Sequence, residues 1–285
     1  MPEFDPRTTP ARQDLAAKHL QGRIAATHFA EATMREVVEA QAPLRREPAP
    51  DALLDTEALK GERIAVYEQT DEGWSWGQLE ADGYVGWLPS AVLGPPGPPA
   101  THKVTAVRTL VFPGPSIKLP PIEFLSFGCL LAVTRFVGDL AVTATGGHVP
   151  ARHVAPRGDM EADFVAVAER FVSVPYLWGG RTSVGLDCSG LVQLALAAVG
   201  IACPRDSDMQ EKSIGNDVRP DADFSNLRRG DLVFWKGHVA IVRDPTSLLH
   251  ANAFHMAVAV EPLSQAIGRI AAAGSAVTSV KRIDQ

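Results

Sequence analysis

"YLWGGRTSVGLDCSGLVQLALAAVG", residues Tyr176 to Gly200, decides the fold of this chain. Two aromatic residues, a glycine pair and a polar loop lead into Asp187-Cys188-Ser189-Gly190, and an apolar run at helical spacing follows. That run predicts a helix from about Asp187 that stops at Gly200. One of only three cysteines then sits in the first turn of a helix, beside an acid. A lone cysteine on an apolar helix is more often simply buried. At a helix mouth, however, unpaired N–H groups and the helix dipole stabilise a thiolate, which is the nucleophile in cysteine chemistry. The position predicts an activated Cys188.

A cysteine nucleophile needs a base, and the base needs an orienting partner on its other nitrogen. "KGHVAIV" places His238 at the start of a strand, directly after Gly237. "LLHANA" places His250 twelve positions on (250 − 238), at the end of what reads as the neighbouring antiparallel strand. A turn at "DPTS", Asp244 to Ser247, would bring the two histidines together. Asn252 and His255 lie close to the same place in the chain. A zinc site of Cys188, His238 and His250 lacks any closely spaced ligand pair, so no metal is expected. "DLVFW", Asp231 to Trp235, reads as a buried strand, and Cys203 as a structural thiol.

Upstream, "MEADFVAVAERFVSV" reads as a helix that opens this region. Residues 160–285 therefore pair helices with a mostly antiparallel sheet, an α+β pattern. Before it, "RIAVYEQTDEGWSWGQLEADGYVGWLPSAVL" holds β-rich runs with turn signals at Glu72-Gly73 and Asp82-Gly83. It predicts a small barrel over residues 41–94. "GPPGPPA", Gly94 to Ala100, reads as a stiff linker. A second strand-rich block spans 101–156, and its ending "GGHVPARHVAP" lines up with "DGYVGWLPSAVLGP" of the first. The match predicts a duplicated barrel. From about Asp14 to Val38, Leu, Ile, Ala and Phe recur at helical spacing, so residues 1–40 are expected to form a helical N-terminal segment.

Composition narrows the function. The net charge is −6, with 27 Lys and Arg against 33 Asp and Glu, and no stretch is rich in basic residues. Nucleic acid and an anionic membrane surface are therefore not expected as partners. No segment approaches the apolar length of a membrane span. The opening "MPEFDPRTTPARQDLAAKHLQGRIAATHF" carries acids early and has no uninterrupted apolar core, so it does not read as a signal peptide. Cys129, Cys188 and Cys203 are odd in number and widely spaced, which fits a reducing cytoplasm rather than a disulfide framework.

Taken in order, "YLWGG…LDCSGLVQ…PRDSDMQ…LRRGDLVFWKGHVAIV…LLHANA" resembles the NlpC-type cysteine peptidases of bacterial cell-wall metabolism over roughly Glu161 to Gln285. The upstream half resembles the two bacterial SH3-like barrels that precede the peptidase in the cytoplasmic, peptide-recycling branch, through "GYVGWLP" and "GGHVPARHV". The resemblance implies a papain-like domain behind two all-β barrels. It implies cleavage of the bond between γ-D-glutamate and a diamino acid, either diaminopimelate or Lys, in peptides with a free N-terminal L-Ala. It makes Cys188 the nucleophile, whose backbone N–H joins the oxyanion hole, His238 the base and His250 the orienting residue. Tyr176 and Trp178 would wall the substrate groove. Ser189, Arg205 and Ser207 match polar positions around the γ-glutamyl carboxylate, and Asp187, Glu62 and Tyr84 match positions that hold the free amine. From the residues alone, a helix N-cap is the role that Asp187 favours, which does not exclude holding an amine, and Arg205 reads equally as an ion-pair partner of Asp206. No cofactor is implied. An amidase or acyltransferase on the same core, or an inactive peptide-binding module, is the alternative; the intact Cys188, His238 and His250 argue against the last.

Overall fold

A computed structural model describes residues 4–283, which fall into two units that part between Asp159 and Met160. In the first unit, seven antiparallel strands form one sheet. Their order is Leu54–Leu59, Gln41–Arg45, Val85–Pro89, Trp74–Leu79, Arg63–Gln69, Thr33–Val37 and Leu93–Gly94. Val37, Ala42, Leu44, Ile64, Val66, Leu79 and Leu88 form its buried core. Gly73 and Gly83 take φ of 86° and 75°, the left-handed conformation that the two turns require. The second barrel is built from three small antiparallel sheets over His102–Pro156, closed on Val104, Leu125, Cys129, Leu131 and Val149. The two barrel endings share one form. Val85–Pro89, a 3-10 turn at Ser90–Val92 and Leu93–Gly94 correspond to His148–Pro150, Ala151–His153 and Val154–Pro156.

The N-terminal segment corrects the expectation of helices over 1–40. Its described residues hold a short strand Leu15–Ala17 paired parallel with His28–Ala30, a 3-10 turn Lys18–Leu20, and the barrel strand Thr33–Val37. The first barrel therefore begins near residue 33, not 41. The reason is tertiary. The Arg12 guanidinium lies 4.4 Å and 4.8 Å from the ring centres of Trp76 and Trp87, and it is paired with Asp14 and Glu68. Leu15 packs on the same tryptophans. Docking onto the barrel wall, with the Arg7 backbone carbonyl accepting from the Val85 N–H, outweighs a weak helical periodicity.

The second unit is the α+β domain. Helix α1 (Phe164–Glu169) starts at Asp163, whose carboxylate accepts from the N–H groups of Val165 and Ala166 at 2.8 and 3.2 Å. Helix α2 (Cys188–Ala198) follows, then α3 (Ser207–Ser213) and α4 (Leu263–Ala272). All residues of α2 except Ala197 are buried, which is why its sequence is apolar all round rather than striped. It stops at Gly200, which takes φ of 82°. Six antiparallel strands run in the order Asn216–Asp217, Val277–Arg282, Asp231–Trp235, His238–Asp244, Ser247–Asn252, Ala257–Pro262. Val233, Trp235, Ala240, Val242 and Leu248 share a core with Leu263 and Ala266 of α4. The alternate residues Leu232, Phe234, Val239 and Ile241 take the opposite face, and α2 packs against the two strands that carry His238 and His250. No helix among the described residues is long and apolar enough to cross a membrane.

Candidate active site

Asp187 caps α2. Its Oδ1 accepts from the Gly190 N–H at 2.7 Å and its Oδ2 from the Gly179 N–H at 2.9 Å. Arg205 grips the same carboxylate through both terminal nitrogens, at 2.9 and 2.7 Å, and donates to Ser189 Oγ at 2.8 Å. Ser189 in turn donates to Asp187 at 3.3 Å. Arg205 is only 1% exposed, so this is a buried bidentate pair. Sequence adjacency does not suggest this pairing of Arg205 with Asp187, 18 positions away. Five donors in all meet the Asp187 carboxylate, three at Oδ1 and two at Oδ2. Gln210 braces the turn from behind, donating to the carbonyls of Ser189 and Pro204 at 3.0 and 2.9 Å.

Cys188 therefore differs from a simple helix-mouth thiol. Burial, with the adjacent Asp187 charge second, pushes its pKa up to about 12. Backbone N–H groups of Val239 and Ser189 and the Arg205 charge act the other way, and they are outweighed. The sequence predicts a lowered pKa from the helix terminus alone; the carboxylate that caps the same terminus offsets the dipole. These shifts favour the neutral thiol over the thiolate.

An imidazole is at hand. Val239, whose N–H reaches the sulfur, directly follows His238 at the start of its strand. His238 Nε2 and His250 Nδ1 are 2.8 Å apart, with ring centres 5.1 Å apart. The strand register explains the contact. Ile241 faces Leu249 and Val242 faces Leu248; extended, this places His238 and His250 as diagonal neighbours on one face. Burial lowers the His238 pKa to about 3, with His250 and Arg269 adding to the effect and Glu261 opposing it. His250 is lowered too, again mainly by burial. Its other nitrogen, Nε2, lies 2.7 Å from Glu261 Oε1. Both nitrogens of His250 are thus engaged by protein groups, which leaves it no lone pair for a metal.

His255 does not join this line. It is exposed, and both its N–H and its Nδ1 meet Asn252 Oδ1, at 2.8 and 3.0 Å. Tyr176 is half-buried, and burial followed by the neighbouring Cys188 and Asp187 raises its pKa to about 12. Trp178 is 66% exposed, an unusual position for a large aromatic ring and one suited to contacting a ligand. The glycines after it serve the chain itself. A Cβ on Gly180 would lie 2.4 Å from the Gly185 carbonyl oxygen, and one on Gly190 would lie 2.4 Å from that of Gly180. Ser207 is buried at the start of α3. Glu62 and Tyr84 belong to the first unit. Glu62 accepts from the Leu59 N–H at 2.8 Å and lines a cavity of about 640 Å³ with Glu36, Lys60 and Arg157, while Tyr84 lies in the barrel core. Glu261 was not legible as a site residue: its approach to His250 depends on the register of two strands.

A thiol in the first turn of a buried helix, next to a strand-borne imidazole that is held by a second imidazole, is the arrangement that papain-like cysteine peptidases use. Residues 173–270 match the model of the NlpC/P60 family, and residues 44–93 match that of the bacterial dipeptidyl-peptidase SH3 domain. The chain thus carries an SH3 domain of that type followed in sequence by an NlpC/P60 domain. It is 26% identical over 239 residues to dipeptidyl-peptidase 6 of Lysinibacillus sphaericus, a match covering 76% of this chain and 86% of that protein. It is also 26% identical to the γ-D-glutamyl-L-lysine dipeptidyl-peptidase of Bacillus subtilis, covering 76% of this chain and 78% of that one. A crystal structure of an NlpC/P60 family protein from Bacillus cereus superposes with a TM-score of 0.72 at 21% identity, over 88% of this chain and 99% of that chain. At that identity the likeness concerns the fold alone.

Proposed function

We propose that this protein is a cytoplasmic cysteine endopeptidase that cleaves the γ-D-glutamyl–diamino acid bond of L-Ala-γ-D-Glu-diamino acid peptides released from peptidoglycan. The 2.8 Å contact between His238 and His250, beside Cys188 at the α2 terminus, carries the reading. His238 takes the proton from Cys188 Sγ as the sulfur attacks the γ-glutamyl carbonyl carbon. The backbone N–H of Cys188 helps to stabilise the oxyanion that forms. The imidazolium returns the proton to the leaving amine, the C–N bond breaks, and a thioester to Cys188 remains. Water, deprotonated by His238, attacks the thioester and Sγ leaves with that proton. Tyr176 and Trp178 wall the groove, and Arg205, Ser189 and Ser207 supply the polar surroundings of the α-carboxylate on the γ-linked glutamate. The name of the Bacillus subtilis relative, a γ-D-glutamyl-L-lysine dipeptidyl-peptidase, supports the same bond class.

This reading includes recognition of the free L-Ala ammonium, the role that the resemblance gives to Glu62, Tyr84 and Asp187. An ammonium must be compensated by opposite charge or acceptors when it leaves water. The test compares a free-amine tripeptide with its N-acetylated form in wild type and Glu62→Ala. Wild type is expected to prefer the free amine strongly, and the variant to lose that preference through the free-amine substrate alone. Equal turnover of both peptides by wild type would overturn the amine-recognition part.

A further inference from the structure

We propose that Glu261 is a positioning residue that acts through His250 to set which nitrogen of His238 is free to act as base. The inference rests on the roles of Cys188, His238 and His250 given above. The three side chains cross the sheet one strand at a time. Glu261 lies on the Ala257–Pro262 strand, where Leu248 pairs with Glu261 and His250 with Ala259, so Glu261 is the diagonal neighbour of His250. It is 7% exposed, and its Oε1 also accepts from Arg269 Nη2 of α4.

The direction of each hydrogen bond follows from what each group can do. An ionised carboxylate only accepts, so His250 Nε2 must carry the proton in its 2.7 Å contact with Glu261. A neutral His250 then has a lone pair on Nδ1. That lone pair obliges His238 Nε2 to donate across 2.8 Å, and the proton-free nitrogen of His238 is Nδ1. One buried acid thus dictates two tautomers and exposes a basic nitrogen on His238. A doubly protonated His250 would invert the last step, turning His238 Nε2 into the acceptor. Arg269 prevents this by sharing the Glu261 charge, and it is itself held under the Phe254 ring at 4.2 Å. Burial of His250 at 1% exposure acts in the same sense.

The experiment reads histidine tautomers in ¹⁵N-labelled full-length protein by long-range ¹H–¹⁵N correlation, which separates the two neutral forms and the imidazolium. Wild type is expected to show Nε2–H on both His238 and His250. A wild-type His250 found as the Nδ1–H form or as imidazolium overturns the proposal, and this readout depends neither on any variant folding nor on the peptide being a substrate. Glu261→Gln keeps an acceptor that the Arg269 donor orients toward His250. It should hold both tautomers and keep kcat within a few-fold. Glu261→Leu should shift His250 to a mixture and lower kcat by on the order of 10–100-fold with little change in KM, the size seen for outer-shell orienting groups. Unchanged tautomers in Glu261→Leu, or a Gln variant as impaired as Leu with its tautomers intact, would also overturn it.

Discussion

Arg205→Met tests whether the Asp187 pair is the buried strut that its geometry indicates. Methionine fills much of the space but removes the two charge-assisted hydrogen bonds at 2.9 and 2.7 Å. Asp187 would remain as a buried anion on two backbone N–H groups and the Ser189 hydroxyl. Breaking such a pair from one side costs about 3–5 kcal/mol, because the other charge is left uncompensated. The second unit spans 126 residues, from Met160 to Gln285 (285 − 159). With an unfolding entropy of roughly 2.1 cal/mol/K per residue, a loss of about 4 kcal/mol lowers its melting temperature by about 15 °C. Calorimetry gives the transition, and hydrogen exchange at Gly190 and Leu191 assigns it to the α2 end, since the two units can melt separately. Adding Asp187→Asn should recover a large part of the loss by removing the stranded charge. A fall of only about 4 °C, the size expected for an exposed pair of about 1 kcal/mol or less, would refute the reasoning. So would a double variant no more stable than the single one.

Two further outcomes follow from the histidines. At about pH 6, where an ordinary imidazole of pKa near 6.5 is largely charged, His238 should be neutral by ¹⁵N shift, because its pKa is lowered to about 3; an imidazolium there would mean that the resting site is a thiolate–imidazolium pair. Stability should also fall with acidity. His238 and His250 both lie below the ordinary value, so the unfolded chain binds protons below about pH 6.5 that the folded chain refuses, and stability is lost from there downward. Glu261 is lowered as well, and its contribution is lost at still lower pH as it protonates. The melting temperature of the second unit should drop between about pH 7.5 and pH 5, and less so in His238→Phe; an unchanged value in wild type would contradict these shifts.

Much of this architecture was legible because local signals and tertiary contacts agree. The α2 run, the "DLVFW" and "HVAIV" strands and the turn at Asp244 to Ser247 all lie where spacing puts them. The agreement extends to the paired barrel endings. It breaks at the N-terminus, where Leu15, Ala16 and Ala17 fit a helix face by period yet are buried or half-buried in extended chain docked beside Trp76 and Trp87. Arg12 between those two rings is a contact across more than 60 residues that no local pattern encodes. The site shows the same division. Cys188 and its cap are local and readable, whereas the pairing of Arg205 with Asp187 is not, because the two lie 18 positions apart in sequence. Glu261 depends on a two-residue offset between strands, and a shift of one position would turn it to the other face.

The most direct test of the central claim is product analysis by mass spectrometry after L-Ala-γ-D-Glu-diamino acid tripeptides, with diaminopimelate and with Lys, are incubated with wild type and with Cys188→Ser. Wild type is predicted to release the L-Ala-γ-D-Glu dipeptide and the free diamino acid from at least one of them, and the nearly isosteric Cys188→Ser to release neither while keeping its fold. Cleavage between L-Ala and D-Glu instead, or the same products from Cys188→Ser, would contradict the account.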